Sequence, residues 1–197
     1  MGSCRCPSEQ ASCAVDPWPG SRTQYLLHDP EPVHPPMFVK ICGIRTGEEA
    51  SAALDCGATA LGFLVGLTHR AEDRIGAADA RGIVRGLPTG AEAVLVTHLL
   101  DPARVAELAA SIGANTIQVH GEMALPDLRR LRALASGGAR LLKAVHVVSG
   151  EEALGRAIDY AADADALVLD TRTADRLGGT GRTHDWLISA QIGSQTE

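Results

Sequence analysis

The chain has 197 residues, a formal net charge of -6 and a sequence pI near 5.6. With 45% hydrophobic residues it can bury the core of one domain, and an acidic balance without a basic cluster argues against a nucleic-acid partner. No apolar run approaches the ~18 residues of a membrane span, so no membrane partner is expected. The five cysteines are Cys4, Cys6, Cys13, Cys42 and Cys56. An odd count without a secretory signal fits reduced thiols in the cytoplasm, and no second Cys or His pair follows Cys4, Cys6 and Cys13 at finger-like spacing, so no metal is expected there.

Residues 1–36 stand apart. Seven of the ten prolines fall in them and no helical or strand period can be traced. They read as a disordered, Pro-rich leader, with neither a core nor the apolar centre of a signal peptide. Met37 directly precedes the first strand, which suggests Met37 as the true initiator and residues 37–197 as the folded domain.

From Phe38 onward short apolar runs alternate with amphipathic stretches. The first strand, Phe38 to Cys42, leads into a helix with Thr46 and Glu49 at capping-box spacing and Gly57 at its end. Ala60 to Val65 follows, then a helix from about Ala77 that stops before Pro88. The third strand, Ala93 to Thr97, precedes a helix capped by Asp101 with Pro102 in its first turn; Val105, Leu108, Ala109 and Ile112 share a face, and Gly113 closes it. Thr116 to Val119 is the fourth strand, and its helix packs through Leu128, Leu131 and Leu134. Leu141 to Val145 is the fifth, with Ser149 and Glu152 at capping-box spacing and Leu154, Ala157, Ile158 and Ala161 facing inward. Ala166 to Leu169 is the sixth, and a last helix is predicted from about His184 to Ile192.

These strands are continuous apolar runs joined by helices, the pattern of parallel strands covered on both faces. An unbroken βα alternation points to a doubly wound sheet or a (β/α)8 barrel. The strand interval of about 25 residues suits a compact barrel.

Two strand ends carry reactive groups. The first strand ends at Cys42 and the sixth runs into Asp170, followed by a loop holding Gly178, Gly179, Thr180 and Gly181, whose backbone N–H groups can face an anion. Taken singly, Cys42 reads as a small buried hydrophobe, Asp170 as a loop or capping carboxylate, and the glycines as a surface turn.

The ordered set Lys40-Ile41-Cys42-Gly43-Ile44-Arg45, Ala60-Leu61-Gly62-Phe63, Gln118-Val119-His120-Gly121, Leu142-Lys143-Ala144, Leu169-Asp170, Gly178-Gly179-Thr180-Gly181 and His184-Asp185-Trp186 resembles the phosphoribosylanthranilate isomerase family of tryptophan biosynthesis. The similarity runs from Met37 to about Ile192. It implies a (β/α)8 TIM-type barrel without metal or organic cofactor. The implied reaction isomerises N-(5-phosphoribosyl)anthranilate, a phosphorylated sugar-anthranilate small molecule, by an Amadori rearrangement. By the same resemblance Cys42 is the general base, Asp170 the general acid, and His120 lies near the substrate. Arg70 receives the anthranilate carboxylate, with Thr68-His69-Arg70 replacing the commoner Ser-Pro-Arg. The acid should have a raised pKa and the thiol should be partly thiolate. Thr97 and His98 depart from the family pattern and receive no role. A related isomerase of histidine biosynthesis is disfavoured, because its chemistry is expected to use paired aspartates.

Six strands and six helices can be counted before Glu197. The expectation is therefore a C-terminally truncated, incomplete barrel of about six βα units, with only the glycine-rich loop left to contact phosphate. Open edges at the first and sixth strands invite self-association or a complementing chain, and the alternative function is a noncatalytic barrel fragment that needs a partner for closure.

Overall fold

Each apolar run ends at a glycine, a proline or a polar cap, and these breaks divide the chain into alternating strands and helices. The computed structural model describes residues 37–68, 72–147, 150–171 and 183–196. The elements run β1 (Lys40–Cys42), α1 (Gly47–Asp55), β2 (Ala60–Leu64), α2 (Ala77–Arg85), β3 (Glu92–Thr97), α3 (Pro102–Ile112), β4 (Thr116–Val119), α4 (Leu125–Leu134), β5 (Arg140–Val147), α5 (Gly150–Ala161), β6 (Ala166–Thr171) and α6 (Trp186–Thr196). The expected leader, Arg70, Ser149, Gly178, Gly179, Thr180 and Gly181 lie outside the described residues.

All six strands pair in parallel in the order β1-β2-β3-β4-β5-β6. A doubly wound sheet reverses its strand order at a switch point. Here every crossover steps to the next neighbour, so the architecture is that of an incomplete (β/α)8 barrel. The curl can be read from one contact. Lys40 Nζ on β1 donates to Gln118 Oε1 on β4, three strands away. Flat spacing would separate those strands by roughly 14 Å, well beyond a lysine's reach.

Side chains alternate across the sheet. Leu61, Phe63, Leu95, Ile117, Val119 and Leu141 point outward into the core shared with the helices. Ala60, Val94, Val96 and Leu142 form a smaller cluster on the inner face. Farther along that inner face the residues turn polar, at the C-terminal ends of the strands. The continuous apolar runs of the sequence reflect burial on both sides.

The helix ends follow their cap residues. Thr46 Oγ1 accepts from Glu49 N at 3.2 Å, and Glu49 reaches back to Arg45 N at 2.7 Å, one residue earlier than a standard capping box. Asp101 accepts from Ala103 N and Arg104 N at 2.9 and 3.1 Å, and Gly113 closes α3 in the left-handed region with φ 85°. Three expected details differ. Strand β6 continues through Asp170 to Thr171, because pairing with β5 extends over His146↔Asp170 and Val147↔Thr171. Helix α6 begins only at Trp186, since the His184 ring is held by Thr171 Oγ1 and Ser189 Oγ. Leu134 and Ile158, read as inward-facing, are exposed on the rims of their helices.

Lys143 is the charged outlier of the outer core. Its neighbours on β5 alternate, and its register partners are Val119 and Leu167, so its side chain is directed under the helix layer and is fully buried. Nζ donates to the Gly121 and Ala144 carbonyls at 3.1 and 2.5 Å and sits 4.6 Å from the centre of the Tyr160 ring. Burial pushes this ammonium down to about 8, Glu122 pulling it up and Arg156 adding to the fall. A lysine with a depressed folded pKa destabilises the fold while charged and regains stability as pH rises from the folded toward the unfolded value. Lys143→Met should therefore be more stable than the parent at neutral pH. Its advantage should shrink by about 2 kcal/mol between pH 7 and about pH 9.5, as read by urea unfolding at both pH values; a pH-independent difference would mean that the ammonium is not desolvated.

Candidate active site

Parallel barrels collect polar residues where their strands end, because the loops there open to solvent while the strand bodies pack. Here β1 ends at Cys42, β3 is followed by His98, β4 by His120, and β5 and β6 carry His146 and Asp170 one residue before their ends. His98, His120 and His146 are all buried. His98 and His120 stack with ring centres 5.3 Å apart, and His146 meets His120 edge-on at 5.1 Å.

A line of hydrogen bonds joins the two sequence-predicted proton-transfer residues. Lys40 Nζ lies 3.0 Å from Cys42 Sγ and also donates to Gln118 Oε1. Gln118 Nε2 is 3.3 Å from His120 Nδ1. On the other side of that ring, His120 Nε2 is 3.3 Å from Asp170 Oδ2. Cys42, His120 and Asp170 are thus brought into one cluster through Lys40 and Gln118. Sequence reading quoted both of these as motif residues but gave neither a role. The signal that finds them is parity: Lys40 shares a strand face with Cys42, and Gln118 precedes His120 by two.

Asp170 corrects one expectation. Burial raises its carboxyl, but the His120 hydrogen bond and charge, the Thr171 N–H at 2.7 Å and the field of His146 outweigh that and hold it below the ordinary carboxylate range. A raised value, expected of a general acid, is not what this carboxyl has. The cause is charge and hydrogen bonding winning over desolvation.

His98, which received no role from the sequence, is fixed by Thr68 through Nδ1, 3.1 Å from Oγ1, and supports the His120 ring from one side. His146 donates through Nε2 to the His120 carbonyl at 3.0 Å. Its Nδ1 is buried with no hydrogen-bond partner among the described residues, and burial, more than any neighbour, favours its neutral form. His120, His146 and Asp170 each bring one ligand-type atom within 4.8 Å of the others.

The fold and this cluster define a (β/α)-barrel protein with a thiol, imidazoles and a carboxylate gathered at the C-terminal mouth. No protein-family model matches the chain. It is 34% identical over 158 residues to N-(5'-phosphoribosyl)anthranilate isomerase 2 of Methanosarcina mazei, across 79% of this chain and 69% of that protein. To the Methanocella arvoryzae isomerase it is 40% identical over 155 residues, 78% of this chain and 70% of the relative. Among solved structures, phosphoribosyl anthranilate isomerase from Thermotoga maritima superimposes with TM-score 0.69 at 30% identity, covering 80% of this chain and 72% of that one. A second isomerase structure, in complex with reduced 1-(o-carboxyphenylamino)-1-deoxyribulose 5-phosphate, superimposes with TM-score 0.65 at 28% identity, covering 80% and 71%. The chain belongs to the phosphoribosylanthranilate isomerase family.

Space for the thiol comes from the neighbouring strand. Cys42 pairs with Gly62, and a Cβ built at Gly62 would lie 2.6 Å from Cys42 Sγ and 3.1 Å from Cys42 Cα. Any side chain there displaces the sulfur from Lys40. Gly62→Ala is expected to cost about 1–3 kcal/mol of stability and to change the rate at which iodoacetamide alkylates Cys42. Wild-type stability together with a wild-type labelling rate would show that the sulfur does not occupy this position.

Proposed function

We propose that this chain converts N-(5-phosphoribosyl)anthranilate to 1-(2-carboxyphenylamino)-1-deoxyribulose 5-phosphate, a cytoplasmic step of tryptophan biosynthesis, by general acid–base catalysis without metal or organic cofactor. Family membership supports the reaction. The observation that carries the residue assignment is the joining of Cys42 and Asp170, 128 positions apart by their numbers, through one hydrogen-bonded line.

The chemistry distributes as follows. A proton passes from the acid to the furanose ring oxygen, the C1′–O bond breaks, and the nitrogen lone pair forms the protonated Schiff base. The Cys42 thiolate then removes the C2′ proton, and the electron pair moves to the nitrogen to give an enolamine. The enol hydroxyl loses its proton, C1′ gains one, and the ketone results. Asp170 starts ionised in the free protein, so the acid form has to arise with substrate present. A phosphate and a carboxylate arriving in the mouth act in that direction, because nearby negative charge disfavours the carboxylate. His120, with Nε2 3.3 Å from Asp170 Oδ2, orients that carboxyl toward the substrate. Arg70 on the anthranilate carboxylate, and Gly178, Gly179, Thr180 and Gly181 on the phosphate, complete the assignment.

A second reading rests on the sheet edges. Among the described residues β1 and β6 each pair on one side. Phe38 and Ile41 near one edge, and Trp186 and Leu187 at the start of α6, are exposed. Self-association or a complementing chain would cover such surfaces, and in that case the isolated chain would be a noncatalytic module.

Complementation of a tryptophan auxotroph lacking the isomerase separates the readings. Growth is expected with the parent chain and is expected to be lost with Cys42→Ala or Asp170→Asn, each variant remaining folded by circular dichroism. Growth with either variant would remove that residue from the mechanism. No growth with the parent chain present in soluble form would favour the module.

A further inference from the structure

Lys40 and Gln118 stand between the two proposed proton-transfer groups, and the direction of every bond in that line is set by chemistry. We infer that Gln118, held by Lys40, is a positioning residue that fixes the tautomer of His120, so that the ring presents Nε2–H to Asp170. A lysine ammonium has donors and no acceptor. The end of the Gln118 amide facing it must therefore be the carbonyl oxygen, which leaves the NH2 end directed at His120 Nδ1. An N–H can meet that nitrogen only as a lone pair. The ring proton is then on Nε2, 3.3 Å from Asp170 Oδ2.

Each alternative places like against like. A turned amide sets NH2 against the ammonium. A turned tautomer sets N–H against N–H at one side of the ring and a lone pair against a carboxylate at the other. Gln118 and His120 are both buried, where mismatched polar groups cost most. His146 and His98 hold the ring's plane from two sides, so what Gln118 adds is the position of the proton.

The catalytic consequence rests on the isomerase reading. With Nε2–H fixed, His120 always offers Asp170 a donor and never competes as a base. The wrong tautomer of a histidine beside a carboxylate is known to be costly in other enzymes. Lys40 has two roles, since the same ammonium also touches Cys42 Sγ. Gln118 meets His120 directly and the thiol only through Lys40.

The test is nitrogen-15 NMR of the full chain labelled at histidine, which reports the tautomer whether or not the protein turns over substrate. The parent is expected to show His120 protonated at Nε2 with a bare Nδ1. Gln118→Leu should give a mixture of tautomers. Gln118→Glu, nearly isosteric and the safer variant for folding, should put a proton on Nδ1, because both its oxygens accept. In the isomerase assay Gln118→Glu should lower kcat by at least about tenfold, with KM within about threefold. Lys40→Met should disturb both the tautomer and the alkylation rate of Cys42. An Nδ1–H tautomer in the parent, or an unchanged tautomer in Gln118→Glu, would overturn the inference. A tautomer shift in a protein without isomerase activity would uphold the positioning role and discard only its catalytic consequence.

Discussion

An ammonium with two acceptors, reached across the hollow of a curled sheet, is the constraint on which the rest of this molecule depends. Lys40 leaves β1 on the inner face and meets Cys42 Sγ beside it and Gln118 Oε1 on β4. The contact requires the sheet to curl, because parallel strands three places apart do not otherwise come within reach of one side chain. It also sets a polarity, since the lysine can only donate.

The same residue type has a different fate one face away. Lys143 on β5 points outward, under Tyr160, and its ammonium is fully buried among backbone carbonyls and an aromatic ring. Its desolvation is a burden on the fold. Lys40 is half-buried, has a thiol and an amide as partners, and lies on the path between two reactive groups. Strand parity alone separates the two: a one-residue slip of either strand would exchange inner for outer faces throughout.

Much of this was legible in the sequence. The strand and helix order followed from apolar runs and from caps such as Thr46 and Asp101, because local hydrogen-bond geometry depends on a few adjacent residues. Periodicity left a doubly wound sheet and a barrel both open; pairing order decided between them, and order is a long-range property. Cys42, His120 and Asp170 could be singled out as candidates because each stands at or near a strand end in a recognisable motif. Gln118 and His146 were passed over, since an amide or an imidazole inside an apolar strand acquires meaning only from the strand opposite. The lowered carboxyl of Asp170 was missed for the same reason. Its causes lie on β4 and β5, remote in the chain, and burial by itself would have predicted the reverse.

The proposed base and acid stand on the two edge strands, β1 and β6, where a sheet opens most readily. Strand β1 is three residues long and bonds to a single neighbour among the described residues. Backbone pairing alone would hold Cys42 loosely. The side-chain line ties β1 to β4, and β4 to β6, so each edge is also anchored to an interior strand through the hollow. Position and the proposed chemistry are thereby coupled: the contacts proposed to orient the protons also tie the edge strands to the interior of the sheet.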